Sequence, residues 1–114
     1  MSEVVNVIGE SKVQGANVIL FDDIIDTGGT ISEAARVLKK KGANKVYACA
    51  THGLFSGPAV ERLNSAPIKE IIVTNTIPQP KKPGLKNLKV ISVASLIGEA
   101  IDRIFKDLSV SILF

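Results

Sequence analysis

The sequence predicts a single α/β domain, a three-layer sandwich in which a mostly parallel sheet of about five strands lies between helices. Short apolar runs rich in β-branched residues recur along the chain, and most are continuous, which is typical of strands covered on both faces. Segments with helical periodicity separate these runs. A length of 114 residues suits one domain of ordinary size and is too short for two, so the predicted domain is 1–114.

The predicted strands are four well-defined apolar runs and one weaker run near the amino terminus. In chain order they are Val4–Ile8 (the weaker run), Asn17–Phe21, Lys45–Ala50, Ile71–Thr74 and Lys89–Val93. Because helical segments connect most of these runs, the strands are expected to lie mostly parallel to one another.

The first predicted helix follows the strand Asn17–Phe21. Its apolar residues share one face, at Ile31, Ala34, Ala35 and Leu38. Thr30 and Glu33 have the spacing of a capping box, so Thr30 is predicted to cap the helix when no ligand is bound. The helix is predicted to end at Gly42, and the preceding lysines are expected on its solvated face.

Two further helices are predicted. The shorter runs from Pro58 to Leu63, with Pro58 in its first turn. The longer carries the strongest apolar stripe, at Leu96, Ile97, Ala100, Ile101, Ile104 and Phe105. Ser95 is positioned to cap it. The ending SVSILF is apolar enough to pack as a strand on the sheet or on another subunit, and Phe55 and Phe114 are candidate interface anchors.

The only long connection without helical periodicity is the segment from Pro78 to Asn87. It contains three prolines, one glycine and three lysines. This composition predicts a surface loop rather than a domain boundary.

Composition excludes several classes of protein. Hydrophobic residues make up 46% of the chain, which favours a folded core over global disorder. The net charge is +3, but the basic residues are not interleaved with aromatic residues, which make up only 4%. Nucleic-acid binding is therefore not expected.

The chain has a single cysteine, Cys49, which is expected to be a small buried core residue. One cysteine allows neither a disulfide within the chain nor a thiolate zinc site, and its use fits a reducing cytoplasm. No stretch approaches the roughly 20 apolar residues of a membrane span, and the amino terminus lacks the pattern of a signal peptide. We therefore expect a cytoplasmic protein without a membrane partner.

The stretch VILFDDIIDTGGT, from Val18 to Thr30, holds the candidate site. Asp22 and Asp23 fall at the carboxyl end of a predicted strand, where open α/β sheets bind ligands. Gly28 and Gly29 can take positive φ and allow the backbone to approach a ligand closely. Their amides, the helix amino terminus and the hydroxyls of two threonines form a cradle suited to a phosphomonoester.

The acids of this stretch suggest a second part of the ligand. A carboxylate beside a phosphate would repel it, so Asp22 and Asp23 are expected to face another group. Carboxylates accept hydrogen bonds from paired sugar hydroxyls or bind a divalent metal through water. A phosphate at one end and two hydroxyls at the other describe a sugar phosphate. An Asp-Asp pair alone could form a turn and a Gly-Gly pair alone a tight turn, and the complete stretch favours the site.

This stretch resembles the phosphoribosyl-pyrophosphate motif of type I phosphoribosyltransferases and ribose-phosphate pyrophosphokinases. Two further stretches, ATHGLFSGPAVERL at Ala50–Leu63 and IIVTNTIP at Ile71–Pro78, resemble the ribose-phosphate pyrophosphokinase family specifically. So does the ending that starts at KVISVASLIGEAIDRIF. The resemblance extends from about Val13 to Phe114, and it implies a type I phosphoribosyltransferase-like fold.

The resemblance implies diphosphoryl transfer from ATP to ribose 5-phosphate, with Mg²⁺, in a complete enzyme. Carried onto this chain, Asp22 and Asp23 would bind the ribose. The phosphate would be bound by the loop that follows, at Asp26, Thr27, Gly28, Gly29 and Thr30. No residue of this chain is assigned a catalytic role, and no metal ligand is assigned.

Members of this family consist of two similar α/β halves, and this chain resembles only the second, carboxyl-terminal half. The family's ATP site would lie in the first half, so the chain is expected to be inactive alone. Its expected partners are ribose 5-phosphate and a first-half domain, or further copies in a homo-oligomer. A non-catalytic regulatory homologue and a free-standing phosphoribosyltransferase are the alternatives, although no segment suited to covering a nucleobase accompanies the core.

Other polar residues also fall at strand ends. His52 follows the Lys45–Ala50 strand, where a general-acid role is conceivable, but a structural hydrogen bond within the Thr-His-Gly turn is favoured. Thr74, Asn75 and Thr76 could reach the site, and a turn role is favoured for Asn75.

Overall fold

The chain folds around a parallel four-stranded sheet. The computed structural model describes residues 10–80 and 84–114. The elements in order are α1 (Glu10–Val13), β1 (Asn17–Ile25), α2 (Gly29–Lys40), β2 (Lys45–Gly53), α3 (Ala59–Ser65), β3 (Glu70–Thr74), β4 (Leu88–Ile91), α4 (Ala94–Phe105) and a 3₁₀ helix (Ser111–Leu113). The strands lie in the order β1-β2-β3-β4, and each pair is parallel. The α/β class and the parallel sheet are confirmed, with four strands rather than about five.

The predicted strands differ from the observed ones mainly at their carboxyl ends. β1 continues beyond Phe21 to Ile25, because its parallel pairing with β2 extends as far as Gly53. β2 therefore includes His52, which the sequence placed just after the strand. The weak run at Val4–Ile8 lies outside the described residues.

The core lies on one face of the sheet. Helices α2 and α3 pack there through Ile31, Leu38 and Leu63 against strand residues such as Val46 and Ile71. Leu85, from the loop between β3 and β4, is also buried in this core, so part of the predicted surface loop is anchored. Each of these apolar side chains contributes about 1.5–3 kcal/mol through its burial.

The opposite face of the sheet is exposed in the described part of the chain. Ile19 and Phe21 of β1 are 59% and 80% exposed on this face. Cys49 pairs with Phe21 in the sheet register and is only half-buried, so the prediction of a buried core cysteine is wrong. The described residues thus supply a helical layer for one face of the sheet.

Helix α4 has an apolar stripe, yet none of its residues is buried. It begins at Ala94, whose amide donates to the Ser92 hydroxyl at 3.2 Å, so the predicted cap by Ser95 is not observed. The last residues form a 3₁₀ helix instead of a strand, with Ile112 and Phe114 exposed. None of the helices in the described ranges has the length and apolar character that a membrane span requires.

A substitution in α4 tests this arrangement. We expect Ile101→Ala to change the free energy of unfolding by less than about 0.5 kcal/mol, because Ile101 is 62% exposed. The matched change Ile31→Ala, on the buried face of α2, should lower that free energy clearly more. Urea denaturation measures both. Equal losses in the two variants would show that α4 is packed in solution.

Candidate functional site

A cavity of about 150 Å³ lies where β1 ends and α2 begins. It is at the carboxyl edge of the parallel sheet, where the sequence placed the ligand. Its lining residues are Asp22, Ile24, Ile25, Asp26, Thr27, Gly28, Gly29, Thr30 and Ile31. The structure therefore brings together six of the seven predicted site residues, and Asp23 is the exception.

The loop between β1 and α2 turns sharply at Gly28, which has a φ of 77°. Gly28 precedes the first residue of α2, and the amide of Ser32 donates to its carbonyl oxygen at 3.0 Å. No side chain caps the helix, so the predicted capping by Thr30 is wrong. The left-handed backbone at Gly28 starts the helix two residues earlier than the capping box predicts. The first amides of a helix have no carbonyl partner within it, so they are suited to bind an anion.

Helix α3 contacts the loop between β1 and α2 but does not line the cavity. A Cβ atom at Gly28 would lie 3.1 Å from Cγ of Leu63, which is buried. A Cβ atom at Gly29 would lie 3.2 Å from Nη1 of Arg62. Gly28 is therefore needed for its backbone conformation and for its close packing against Leu63, whereas at Gly29 the Arg62 side chain would have to shift slightly.

The segment after β2 also holds the loop. The amides of Leu54 and Phe55 both donate to the carbonyl oxygen of Ile25, at 2.9 and 3.2 Å. The amide of Ser56 donates to the carbonyl oxygen of Asp26 at 3.0 Å, and its hydroxyl donates to the Asp26 carboxylate. One carboxylate oxygen of Asp26 is thus used to fix the loop.

Asp22 and Asp23 are adjacent in β1, and successive side chains of a strand point to opposite faces of the sheet. Asp22 lines the cavity, whereas Asp23 does not. Each carboxylate accepts the amide of the next residue at 2.8 Å: Asp22 from Asp23, and Asp23 from Ile24.

Asp23 is ionised at neutral pH. The pKa of its carboxyl is held below the usual 3.8, first by the neighbouring Asp22 side chain and next by the hydrogen bond from the Ile24 amide. A lowered pKa means that any stabilisation from ionised Asp23 is present above the usual pKa and is lost as the pH falls through the lowered value. Asp23 is therefore a hydrogen-bond acceptor throughout the physiological range.

His52 and two threonines form a polar cluster at the ends of β2 and β3. Nδ1 of His52 lies 2.7 Å from Oγ1 of Thr76, and the Thr74 hydroxyl donates to the carbonyl oxygen of Thr51 at 2.6 Å. His52 thus makes a hydrogen bond from β2 to the turn after β3, rather than one within its own turn. Asn75 joins β3 to the start of α4, because its side-chain oxygen accepts the Val93 amide at 3.0 Å.

Metal ligands were left unassigned from the sequence. Among the described residues, no group of three or more His, Cys, Asp or Glu side chains is placed to hold a metal ion. The carboxylates of Asp22 and Asp26 line the same cavity and could contribute to a metal whose other ligands come from a substrate and water.

Sequence reasoning missed three residues that shape this site: Ser56, Arg62 and Leu63. All three lie in the stretch Ala50–Leu63, which carried part of the family resemblance. No spacing or periodicity places that stretch against the loop after β1. Only the tertiary structure shows the contact, through the packing of α3 on α2 and the hydrogen bonds of Ser56 to Asp26.

Comparison with known proteins gives one family. Residues 2–114 match the model of the phosphoribosyl synthetase-associated domain. Among curated relatives, a ribose-phosphate pyrophosphokinase from Nostoc sp. is 54% identical over all of this chain and 34% of its own length. One from Gloeobacter violaceus is 57% identical over 98% of this chain and 33% of its own length.

A solved structure agrees with these relatives. The crystal structure of phosphoribosylpyrophosphate synthetase from Mycobacterium smegmatis superposes with a TM-score of 0.81 and 42% identity. The superposition covers 88% of this chain and 33% of that protein. The chain thus spans about a third of the length of the relatives that it matches.

Proposed function

The chain belongs to the phosphoribosyl synthetase-associated domain family, and on that premise we propose that it is the ribose-5-phosphate-binding part of a ribose-phosphate pyrophosphokinase. Its relatives carry the name of that enzyme, and the chain corresponds to a fragment of them. We assign it to the carboxyl-terminal half. The complete enzyme would transfer a diphosphoryl group from ATP to the anomeric hydroxyl of ribose 5-phosphate and release AMP.

The observation that carries this proposal is the cavity at the end of β1. Amides of the turn at Gly28 and the amino terminus of α2 favour a phosphate dianion there. Thr27 and Thr30 add hydroxyl groups to the lining. The carboxylate of Asp22 lies in the same cavity and would accept hydrogen bonds from the ribose diol. Asp23, exposed at the end of the same strand, is the second carboxylate proposed for the diol.

ATP would bind mainly to the part of the enzyme that this chain does not contain, and the chain alone would be inactive. The exposed apolar residues of the open sheet face and of α4 fit a chain that associates with a first-half domain or with further copies. Mg²⁺ would accompany the complete enzyme, held by substrate oxygens and water together with one or two carboxylates. We place the enzyme in the cytoplasm.

Reconstitution tests the function. The probes are ribose 5-phosphate for calorimetric binding, and ATP with Mg²⁺ for AMP formation. We expect this chain to bind ribose 5-phosphate with an affinity that free ribose does not match, because the phosphate supplies most of the charge-assisted contacts. Mixing it with the portion of the Nostoc sp. relative that it does not match should give AMP. The Asp22→Asn variant serves as the matched inactive chain.

The outcomes separate the possibilities. AMP formation only in the mixture supports an enzyme fragment. Assembly and ribose 5-phosphate binding without AMP would favour the non-catalytic regulatory homologue. Transfer of the ribose of phosphoribosyl pyrophosphate to a base would favour a phosphoribosyltransferase. A wild-type chain that does not bind ribose 5-phosphate would contradict the proposal.

A further inference from the structure

The cavity at the end of β1 has an unbalanced charge. Two of its lining residues, Asp22 and Asp26, are carboxylates, and none is a lysine or an arginine. A phosphate dianion bound there would be repelled by both carboxylates, at an energy that grows as water is excluded. Peptide amides carry only partial charges. A full positive charge near the loop would offset this repulsion.

Arg62 of α3 is the basic side chain in contact with the loop. Its Nη1 donates to the carbonyl oxygen of Thr27 at 3.4 Å, and it lies 3.2 Å from the place a Cβ would take at Gly29. Arg62 is exposed, and it belongs to none of the ion pairs among the described residues. Its charge is therefore not neutralised by a carboxylate of the described chain.

The contact with Thr27 also shows the direction of a peptide group. The peptide bond between Thr27 and Gly28 is trans, so its C=O and N–H point in opposite directions. Because the carbonyl of Thr27 is directed at Arg62 on α3, the amide of Gly28 is directed away from α3. Neither Arg62 nor any other α3 residue lines the cavity, whereas Gly28 does, so an amide of Gly28 directed away from α3 is available to a ligand there.

We propose that Arg62 is a positioning residue of the phosphate site. It orients the Thr27–Gly28 peptide so that the amide faces the phosphate. Its positive charge, on the other side of the loop, offsets the negative charge of the phosphate. This inference rests on the proposed binding of ribose 5-phosphate. It adds to that function a specific residue on an element that the phosphate motif does not include. Arg62 itself does not enter the cavity.

The test measures binding of ribose 5-phosphate to the 114-residue chain by calorimetry. We expect Arg62→Gln to weaken binding about tenfold, because the glutamine can still donate a hydrogen bond but carries no charge. Arg62→Lys, which keeps the charge, should recover part of the loss. Arg36→Gln is the matched control, since Arg36 is an exposed arginine that faces Glu33 on α2. It should bind ribose 5-phosphate as the wild type does.

A salt series separates a role of the charge from a role in packing. The wild-type affinity should fall as the ionic strength rises, and the affinity of Arg62→Gln should fall less steeply, because one charge fewer is being screened. Equal affinity of Arg62→Gln and wild type, or parallel salt dependences, would overturn the role of Arg62 and leave the site standing. Absence of binding by the wild type itself would instead overturn the proposed function.

Discussion

Replacing Asp22 and Asp23 together by asparagine is expected to weaken the binding of ribose 5-phosphate by at least about a hundredfold. Hydrogen bonds to a charged group are stronger than those between neutral groups, and asparagine keeps the shape of the side chain without its charge. Asp22 lines the cavity and Asp23 does not, so Asp22→Asn alone should account for most of the loss. Calorimetry at pH 7, where Asp23 is ionised, measures both single variants and the double variant.

The stability of the double variant should change little, since both carboxylates are exposed. Asp102→Asn removes the same charge from an exposed site on α4 and controls for the change in net charge. An unaltered affinity in the double variant would show that neither carboxylate contributes to the binding of ribose 5-phosphate. If Asp23→Asn proved more damaging than Asp22→Asn, the diol would have to lie on the other side of β1.

Gly28→Val is expected to lower the free energy of unfolding by about 4 kcal/mol and to abolish binding of ribose 5-phosphate. Gly28 has a φ of 77°, which a β-branched residue adopts only with strain. Its Cβ would lie 3.1 Å from Cγ of the buried Leu63, so the Leu63 side chain would have to shift by a few tenths of an ångström as well. Urea denaturation and calorimetry measure the two effects.

Gly15 is the matched control for the backbone strain. Its φ is 76°, almost that of Gly28, but a Cβ there would meet no atom within 4 Å. Gly15→Val should therefore cost about 2 kcal/mol, from strain alone, and leave binding intact. The difference between the two variants estimates the contribution of the contact with Leu63. Similar losses of stability would mean that α3 does not press on the loop as described.

The local pattern of residues was sufficient for much of this fold. Continuous apolar runs predicted β1 to β4, and the periodicity of Ile31 and Leu38 predicted the buried face of α2. Asp22 and the loop from Asp26 to Thr30 were predicted as a unit, and they line one cavity. These features could be predicted because the residues that make them are neighbours in sequence.

The ends of the elements were predicted less well. Two aspartates in succession disfavour a strand, yet β1 continues through them because its parallel pairing with β2 supplies backbone hydrogen bonds as far as Ile25. The capping-box spacing at Thr30 was outweighed by the left-handed turn at Gly28. In the first case pairing with a distant strand outweighed a local preference, and in the second the conformation of a neighbouring glycine did so.

The sequence by itself determined which segments form β1 to β4 and α2 to α4 and which residues gather at the cavity after β1, since those properties depend on side chains a few positions apart. Only the tertiary structure decided which face of the sheet is covered, that α4 buries none of its residues, and that Arg62 and Leu63 stand behind the loop at Gly28. The physical reason is that an apolar stripe or a single arginine determines which kinds of group it can contact. It does not determine which group lies next to it in the folded chain. That depends on how helices separated along the chain pack on the sheet.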